Sequence, residues 1–527
     1  MASNDPGLAQ LGAEANEPIK GAVLESVDLE EAECPVAPDQ LDERYETSRW
    51  EIWSWYLYYV GANGLSLFNF GPTAFQNLLY QQAGDSEILH FMGSDRTINS
   101  IVLLSNGISF AIQVVLFLII GAYADFGTLR SKILIGLSII AYAIGFGWLG
   151  VHTADKWQIG TGLYIVGLLA YQLTLSYWAA SFPLLARNTR EIREKARDFT
   201  DGTITREEYD HADSMKRNEL SNVAFYVQSC GEMIILEKAV IVGIMFAMHV
   251  DDSTANNNYG LSVLIAFSSG VWLLLSLPWF FMEKKRPGMQ TEGSILIAGV
   301  SQLWYAVTQI WQLRQSFCYL IGYFLLGDSL NTIVTVIGTL QNAVVTYNTL
   351  ELTYLLLVGI AAQALGIGAF WYIQKRYGLS TKTMFNAVAI GIILLAAWGM
   401  IGIYTQKLGY KVKIEFWFYQ VFYGIFVCPW YSYSLVMISE VTPRGKEYLF
   451  FSLFSMVGKT SAFIGPLVSS AIIDASPSHN NSTPFYFLLA LSLVSFLFIF
   501  FFVDLSKSQV EQAEFLRKEK EARGKAV

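Results

Sequence analysis

Apolar residues run along this chain in blocks of about twenty, separated by shorter polar connections. At 1.5 Å rise per residue, such a block covers a hydrocarbon core about 30 Å thick. About twelve blocks occur, near 52–70, 99–123, 133–151, 159–185, 221–248, 261–282, 317–341, 353–373, 383–404, 416–438, 449–473 and 485–503. None is dominated by period-two alternation, which argues against a β-barrel. The pattern predicts an all-α polytopic membrane protein, with about twelve transmembrane helices in two six-helix halves. The expected divisions are an acidic disordered tail over 1–48 and a first half over 49–283, with a long polar loop at 186–218. A linker follows over 284–315, then a second half over 316–504 and a polar tail over 505–527.

Within the linker, Leu296, Val300, Leu303, Trp304, Val307, Ile310 and Trp311 recur at spacings of three and four. They share one helical face, so a helix lying in the membrane interface is expected there. The first tail carries Glu25, Asp28, Glu30, Glu31, Glu33, Asp42 and Glu43. It lacks the basic start and apolar run of a signal peptide.

Charge adds orientation. Lysines and arginines gather on alternate connections: with both termini cytosolic, about eighteen fall on inner loops and about five on outer ones. The same arrangement places the sequons at Asn480 and Asn481 on the outer or lumenal face, where a glycan can be added. Only 15 % of residues are charged, against about 25 % in soluble proteins. This deficit fits a surface that faces lipid. No basic patch with interleaved aromatics points to nucleic acid.

Candidate chemistry is sparse. Cys34, Cys230, Cys318 and Cys428 show neither disulfide nor zinc spacing. His90, His152, His211, His249 and His479 fall in loops or at block ends. An enzyme, a metal site and a cofactor are therefore not expected.

After the second block stands Gly121-Ala-Tyr-Ala-Asp125-Phe-Gly127-Thr-Leu-Arg130-Ser-Lys132. It resembles the signature loop of the major facilitator superfamily, which in that superfamily latches two halves in one conformational state. The corresponding stretch after the eighth block, Gly368 to Lys382, lacks the aspartate. Four further stretches narrow the likeness. They are Trp55-Tyr56-Leu-Tyr58, Gly327-Asp328-Ser-Leu-Asn-Thr-Ile333, Pro443-Arg-Gly445-Lys446-Glu447 and its continuation to Ser452, and Lys459 through Gly465-Pro466-Leu467. Together they resemble the autophagy-related protein 22 family, fungal vacuolar effluxers of the same superfamily. The resemblance implies a major-facilitator fold in the vacuole membrane and export of amino acids from the lumen after autophagic breakdown. The substrate comes from the resemblance, not from composition or spacing.

Ionisable groups at bilayer depth cost roughly 2.5–3.5 kcal/mol each and commonly face a cavity or a partner. Asp328 and Lys459 both fall near the middle of their blocks. They are expected either to line the substrate cavity or to form a structural ion pair. Glu232 is a candidate protonatable carboxylate, and Glu237 and Lys238 lie nearer the outer end. Asn63 and Asn69, with Gly64, Ser66 and Pro72, make the first block polar and breakable, as at midplane transporter sites. The expected function is secondary transport by alternating access, with the bilayer and a small solute as partners and possible proton coupling. The alternatives are the same fold carrying another solute, or a transport-inactive membrane scaffold or receptor.

Overall fold

The structure is a computed structural model; it describes residue 36 and residues 38–64, 67–86, 88–125, 128–235, 254–286, 310–344, 349–475 and 480–524. Helix fills the apolar stretches over these residues. In hydrocarbon only a helix or a closed barrel satisfies every backbone group. Each span below carries the ordinal of its apolar block. Span one is Arg49–Gly64 with Leu67–Ala83, two is Ile98–Ala124, three is Leu129–Gly147 and four is Trp157–Arg187. Span five is Arg206–Ile235, six is Thr254–Met282, seven is Arg314–Val344 and eight is Thr349–Tyr377. Span nine is Thr381–Tyr404, ten is Lys413–Glu440, eleven is Glu447–Ala475 and twelve is Phe485–Phe502. Among the described residues, nine helices are long and apolar enough to cross a membrane. Spans one, five and eleven fall outside that count. The first is two helices, the second is described only to Ile235, and the third meets the apolar test over Glu447–Gly458 alone.

Aromatic stacks hold equivalent spans together in each half. Trp55 and Tyr59 of span one stack on Trp178 of span four, with ring centroids 4.4 and 4.0 Å apart. In the second half, Tyr323 of span seven stacks on Trp430 of span ten at 5.8 Å. These large buried rings combine apolar area with few rotatable bonds, so each half is stiff.

Span ten is not a uniform helix. Its α-helical stretches, Lys413–Phe422 and Pro429–Glu440, flank a π-helical turn over Tyr423–Val427. There Cys428 N–H donates to Tyr423 O at 2.9 Å. Such wide turns are rare and often sit at functional sites.

The end of the bundle that carries the lysine- and arginine-rich connections, here the basic end, is elaborated. Residues 38–48, expected to belong to the disordered tail, fold instead as a strap. Asn188 donates to Asp39 at 2.7 Å, Gln40 to Tyr209 at 3.0 Å, and Thr47 N–H to Asn188 O at 2.8 Å. Val36, Ile192, Ala196 and Tyr209 form a small apolar core beneath the strap, and that burial offsets the acidity. The 186–218 loop is almost entirely helical. One helix is Arg190–Thr200, and span five begins in the loop, at Arg206. Exposed pairs such as Arg190–Glu194 at 2.9 Å and Lys195–Asp198 at 3.4 Å carry the first helix through water. The second tail forms the helix Leu505–Gly524 and docks on the same end, where Gln512 donates to Glu440 O at 2.8 Å. At the opposite end, Ile88–Phe91 and Ser94–Thr97 make a β-hairpin. Met92 and Gly93 turn it with positive φ at both positions. The expected interfacial helix lies outside the described residues except for the turn Ile310–Gln312.

Candidate functional site

Spans two, four and five of the first half meet spans eight, ten and eleven of the second. The signature loop sits at this seam. Asp125 Oδ1 accepts Tyr448 N–H at 3.0 Å, and Oδ2 accepts Leu449 N–H at 3.2 Å. A carboxylate from one half thereby caps the first turn of span eleven in the other, where backbone donors lack intrahelical partners. Burial and the neighbouring Glu447 push the Asp125 carboxyl well above its ordinary range, against the pull of the two N–H groups and Lys446. One turn earlier, Gly121 faces Ser452; a Cβ there would stand 2.5 Å from Ser452 Oγ. Span two reaches span eleven this closely only because residue 121 has no side chain.

The rest of the motif behaves differently. Arg130 donates to Arg286 O at 2.9 Å, and Arg286 grips buried Glu51 through bonds of 2.8 and 2.9 Å. Arg130 also lies close enough to Tyr448 of span eleven to interact with it electrostatically, so it is anchored beside the seam without a hydrogen bond across it. Lys132 is exposed, and Gly127 lies outside the described residues. Of the second motif, Gly445 turns the chain into span eleven at φ +82°, Lys446 is buried, and Glu447 pairs with Arg187 at 3.2 Å.

That last contact belongs to a gate that the sequence did not reveal. Arg187 ends span four and also lies 3.6 Å from Asp39 of the strap. Arg217 of span five pairs with Glu440 of span ten at 3.2 Å and donates to Ser439 O at 3.1 Å. Ser214 donates to Glu440 at 2.5 Å. These ties, with Asp125, fasten the two halves at the basic end. In the sequence, Arg187 and Arg217 look like two of many charges in a polar loop. Their one distinguishing mark is position at or just before a span, opposite Glu440 and Glu447.

Toward the middle of the bundle lies a second polar cluster. Gln228 donates to Glu232 at 2.5 Å within span five. Gln363 of span eight donates to Ser229 at 2.9 Å. Glu232 is also close enough to Tyr59 of span one and Cys428 of span ten to interact with them electrostatically. Tyr431 and Tyr423, hydroxyls 3.1 Å apart, stand on either side of Cys428 in span ten. Four spans from both halves thus converge around Glu232.

Asp328 sits elsewhere. Its Oδ1 accepts Gly465 N–H of span eleven at 3.0 Å. Gly465 is six positions beyond Lys459, roughly 9 Å along the helix, so Asp328 sits at a different level from Lys459. The Lys459 and Pro466 side chains, like those of Asn63 and Asn69, lie outside what is described. Asn480 accepts Ser482 N–H at 3.0 Å, and Asn481 is half-buried.

A polytopic helical bundle whose halves meet across spans two and eleven, five and eight, is the architecture of a major-facilitator transporter. Solved structures agree on the fold. The proton:xylose symporter XylE aligns with a TM-score of 0.60 at 14 % identity, over 88 % of this chain and 98 % of that one. FucP in its outward conformation aligns at 0.55 and 12 % identity, over 86 % and 97 %. The chain belongs to the family described as vacuole effluxer Atg22 like, whose profile it matches over residues 47–513. Among relatives, autophagy-related protein 22 of Kluyveromyces lactis is 28 % identical over 284 residues, 52 % of this chain and 57 % of that protein. The Yarrowia lipolytica protein of the same name is 23 % identical over 481 residues, 81 % of this chain and 79 % of its own length. The chain is thus a membrane transporter rather than an enzyme.

Proposed function

We propose that this transporter moves amino acids out of the vacuole lumen into the cytosol by alternating access, with the basic end facing the cytosol. The fastening of both halves at that end, through Asp125, Arg187–Glu447 and Arg217–Glu440, carries the reading. It makes the structure a cytosol-closed state. Release requires all three ties to part as one half rocks against the other. The substrate class rests on the family and on the names of its relatives. Glu232 is the proton-coupling carboxylate in this scheme: it lies in the central cluster and interacts electrostatically with span one of the first half and span ten of the second, so its protonation can bias their packing. Asn63, Asn69 and Lys459 remain candidates for substrate contact. Asp328 holds span seven to span eleven.

Purified protein in liposomes tests the scheme. Labelled neutral and basic amino acids should cross faster when a proton gradient is imposed, and Glu232→Gln should remove the gradient's effect. Transport of sugars or organic anions but not amino acids would overturn the substrate. A gradient effect that survives in Glu232→Gln would remove that residue from coupling.

A further inference from the structure

Beneath the gate, on the basic face, a cavity of about 110 Å³ opens between the halves. The gate pairs Arg187–Glu447 and Arg217–Glu440 line it, together with Arg206, Asp210, Asp213 and Arg444. Gln509 and Gln512 of the C-terminal helix close one side. Four arginines face two aspartates and two glutamates, so the lining is neutral in sum and strongly charged in detail. Such a lining favours neither a bare anion nor a bare cation. It suits a small molecule that carries both charges.

Several of these groups have spare bonding capacity. Arg444, between spans ten and eleven, makes no hydrogen bond or ion pair among the described residues. Its planar fork is the shape that grips a carboxylate. Across the cavity, Asp213 is only 5 % exposed, and its Oδ1 accepts no hydrogen bond. Asp210 reaches Arg206 only at 3.4 Å. The like-charged Asp213 stands close to Asp210, so a further cation would be welcome there. The cation and the acids come from different halves: Arg444 from the second, Asp210 and Asp213 from the first.

We propose that this cavity binds a free α-amino acid as a zwitterion, with its carboxylate on Arg444 and its ammonium at Asp210 and Asp213. A ligand held in that way bridges the two halves and keeps the basic end shut. Amino acid accumulating on that side therefore slows its own delivery. The choice of amino acids among zwitterions rests on the transport reading; the charge pattern does not.

The test uses the purified full-length chain in detergent, with glycine, acetate and methylammonium as probes. Glycine should raise the melting temperature and compete with labelled glycine, while acetate and methylammonium alone should do neither. Arg444→Gln and Asp210→Asn should each weaken glycine binding about tenfold, as expected for losing one charged hydrogen bond. Arg444→Lys should retain part of the affinity, which separates loss of the site from loss of the fold. In liposomes, glycine on the basic face should slow efflux of labelled amino acid. Acetate acting as well as glycine, or equal glycine binding in all variants, would overturn the proposal. If amino acids cross the membrane and glycine binding ignores both substitutions, the site falls and the transport reading stands. If no amino acid crosses yet glycine binds through Arg444, the site stands and the transport reading falls.

Discussion

At Gly121, one missing side chain decides how closely two helices approach. A valine there would drive its Cβ into Ser452, whose Oγ lies 2.5 Å from the position a Cβ would take. Overpacking of this kind costs about 1–3 kcal/mol. Gly121→Val should therefore lower the melting temperature in detergent, and Ser452→Gly added to it should restore most of the loss. If the double variant is no more stable than the single one, the contact between spans two and eleven is not what requires the glycine. The residue scale is also where the sequence was most legible. Gly121 and Asp125 stood out because their stretch resembles the signature loop, and both join the halves. Arg130, in the same stretch, donates its hydrogen bond to the carbonyl of Arg286 at 2.9 Å and meets Tyr448 of span eleven only electrostatically. A motif selects residues; it does not choose their partners.

At the scale of elements, the decisive device is a helix capped by a residue more than three hundred positions away. Asp125→Asn keeps an acceptor for Tyr448 or Leu449 and should be mild. Asp125→Ala strands two buried N–H groups, at a cost of about 1–3 kcal/mol. The folded pKa of Asp125 lies above its ordinary 3.8. Stability tied to the protonated carboxyl is thus fully present below that value and lost as pH rises through the folded pKa. Melting curves across pH should show this slope in the wild type and lack its Asp125 component in Asp125→Asn. A slope identical in the two proteins would show that Asp125 does not take up this proton. Elements were legible wherever a block of apolar residues was long. The strap at 38–48 was not, because its order comes from Asn188, Tyr209 and Arg193 far along the chain rather than from its own composition.

Across the whole molecule, opening is a competition between two sets of contacts, and the gate pairs weight one side. Arg217 and Glu440 should couple by about 0.5–3 kcal/mol in a double-mutant cycle of Arg217→Ala and Glu440→Gln, a range typical of contacting residues. Buried Cys428, deep in span ten, is a native reporter. Either single change should speed its alkylation from the basic side, mapped by mass spectrometry. Unchanged labelling in both would show that the pair is not part of the closure. This level was the least legible in sequence. The pairings Arg187–Glu447 and Arg217–Glu440 join residues separated by 260 and 223 positions, and no periodicity reports such a distance. For Asp328 and Lys459, counting residues into each span assumes a common starting level; Asp328 meets span eleven at Gly465, six positions beyond Lys459.

The wide turn in span ten has a consequence for chain length. A turn closed by a bond across five residues, as from Cys428 to Tyr423, holds one residue more than the helix on either side needs. Removing one residue from Tyr423–Val427 should let that stretch relax to ordinary helix while Glu415 and Glu440 keep their facings. Removing one residue from Pro429–Glu440 would rotate the end of the span by about 100° and carry Glu440 away from Arg217. The first deletion should yield folded protein with slow alkylation of Cys428, and the second a gate that no longer closes. Relatives aligned to this chain are then expected to differ by single-residue gaps at the wide turn and at no other point in span ten.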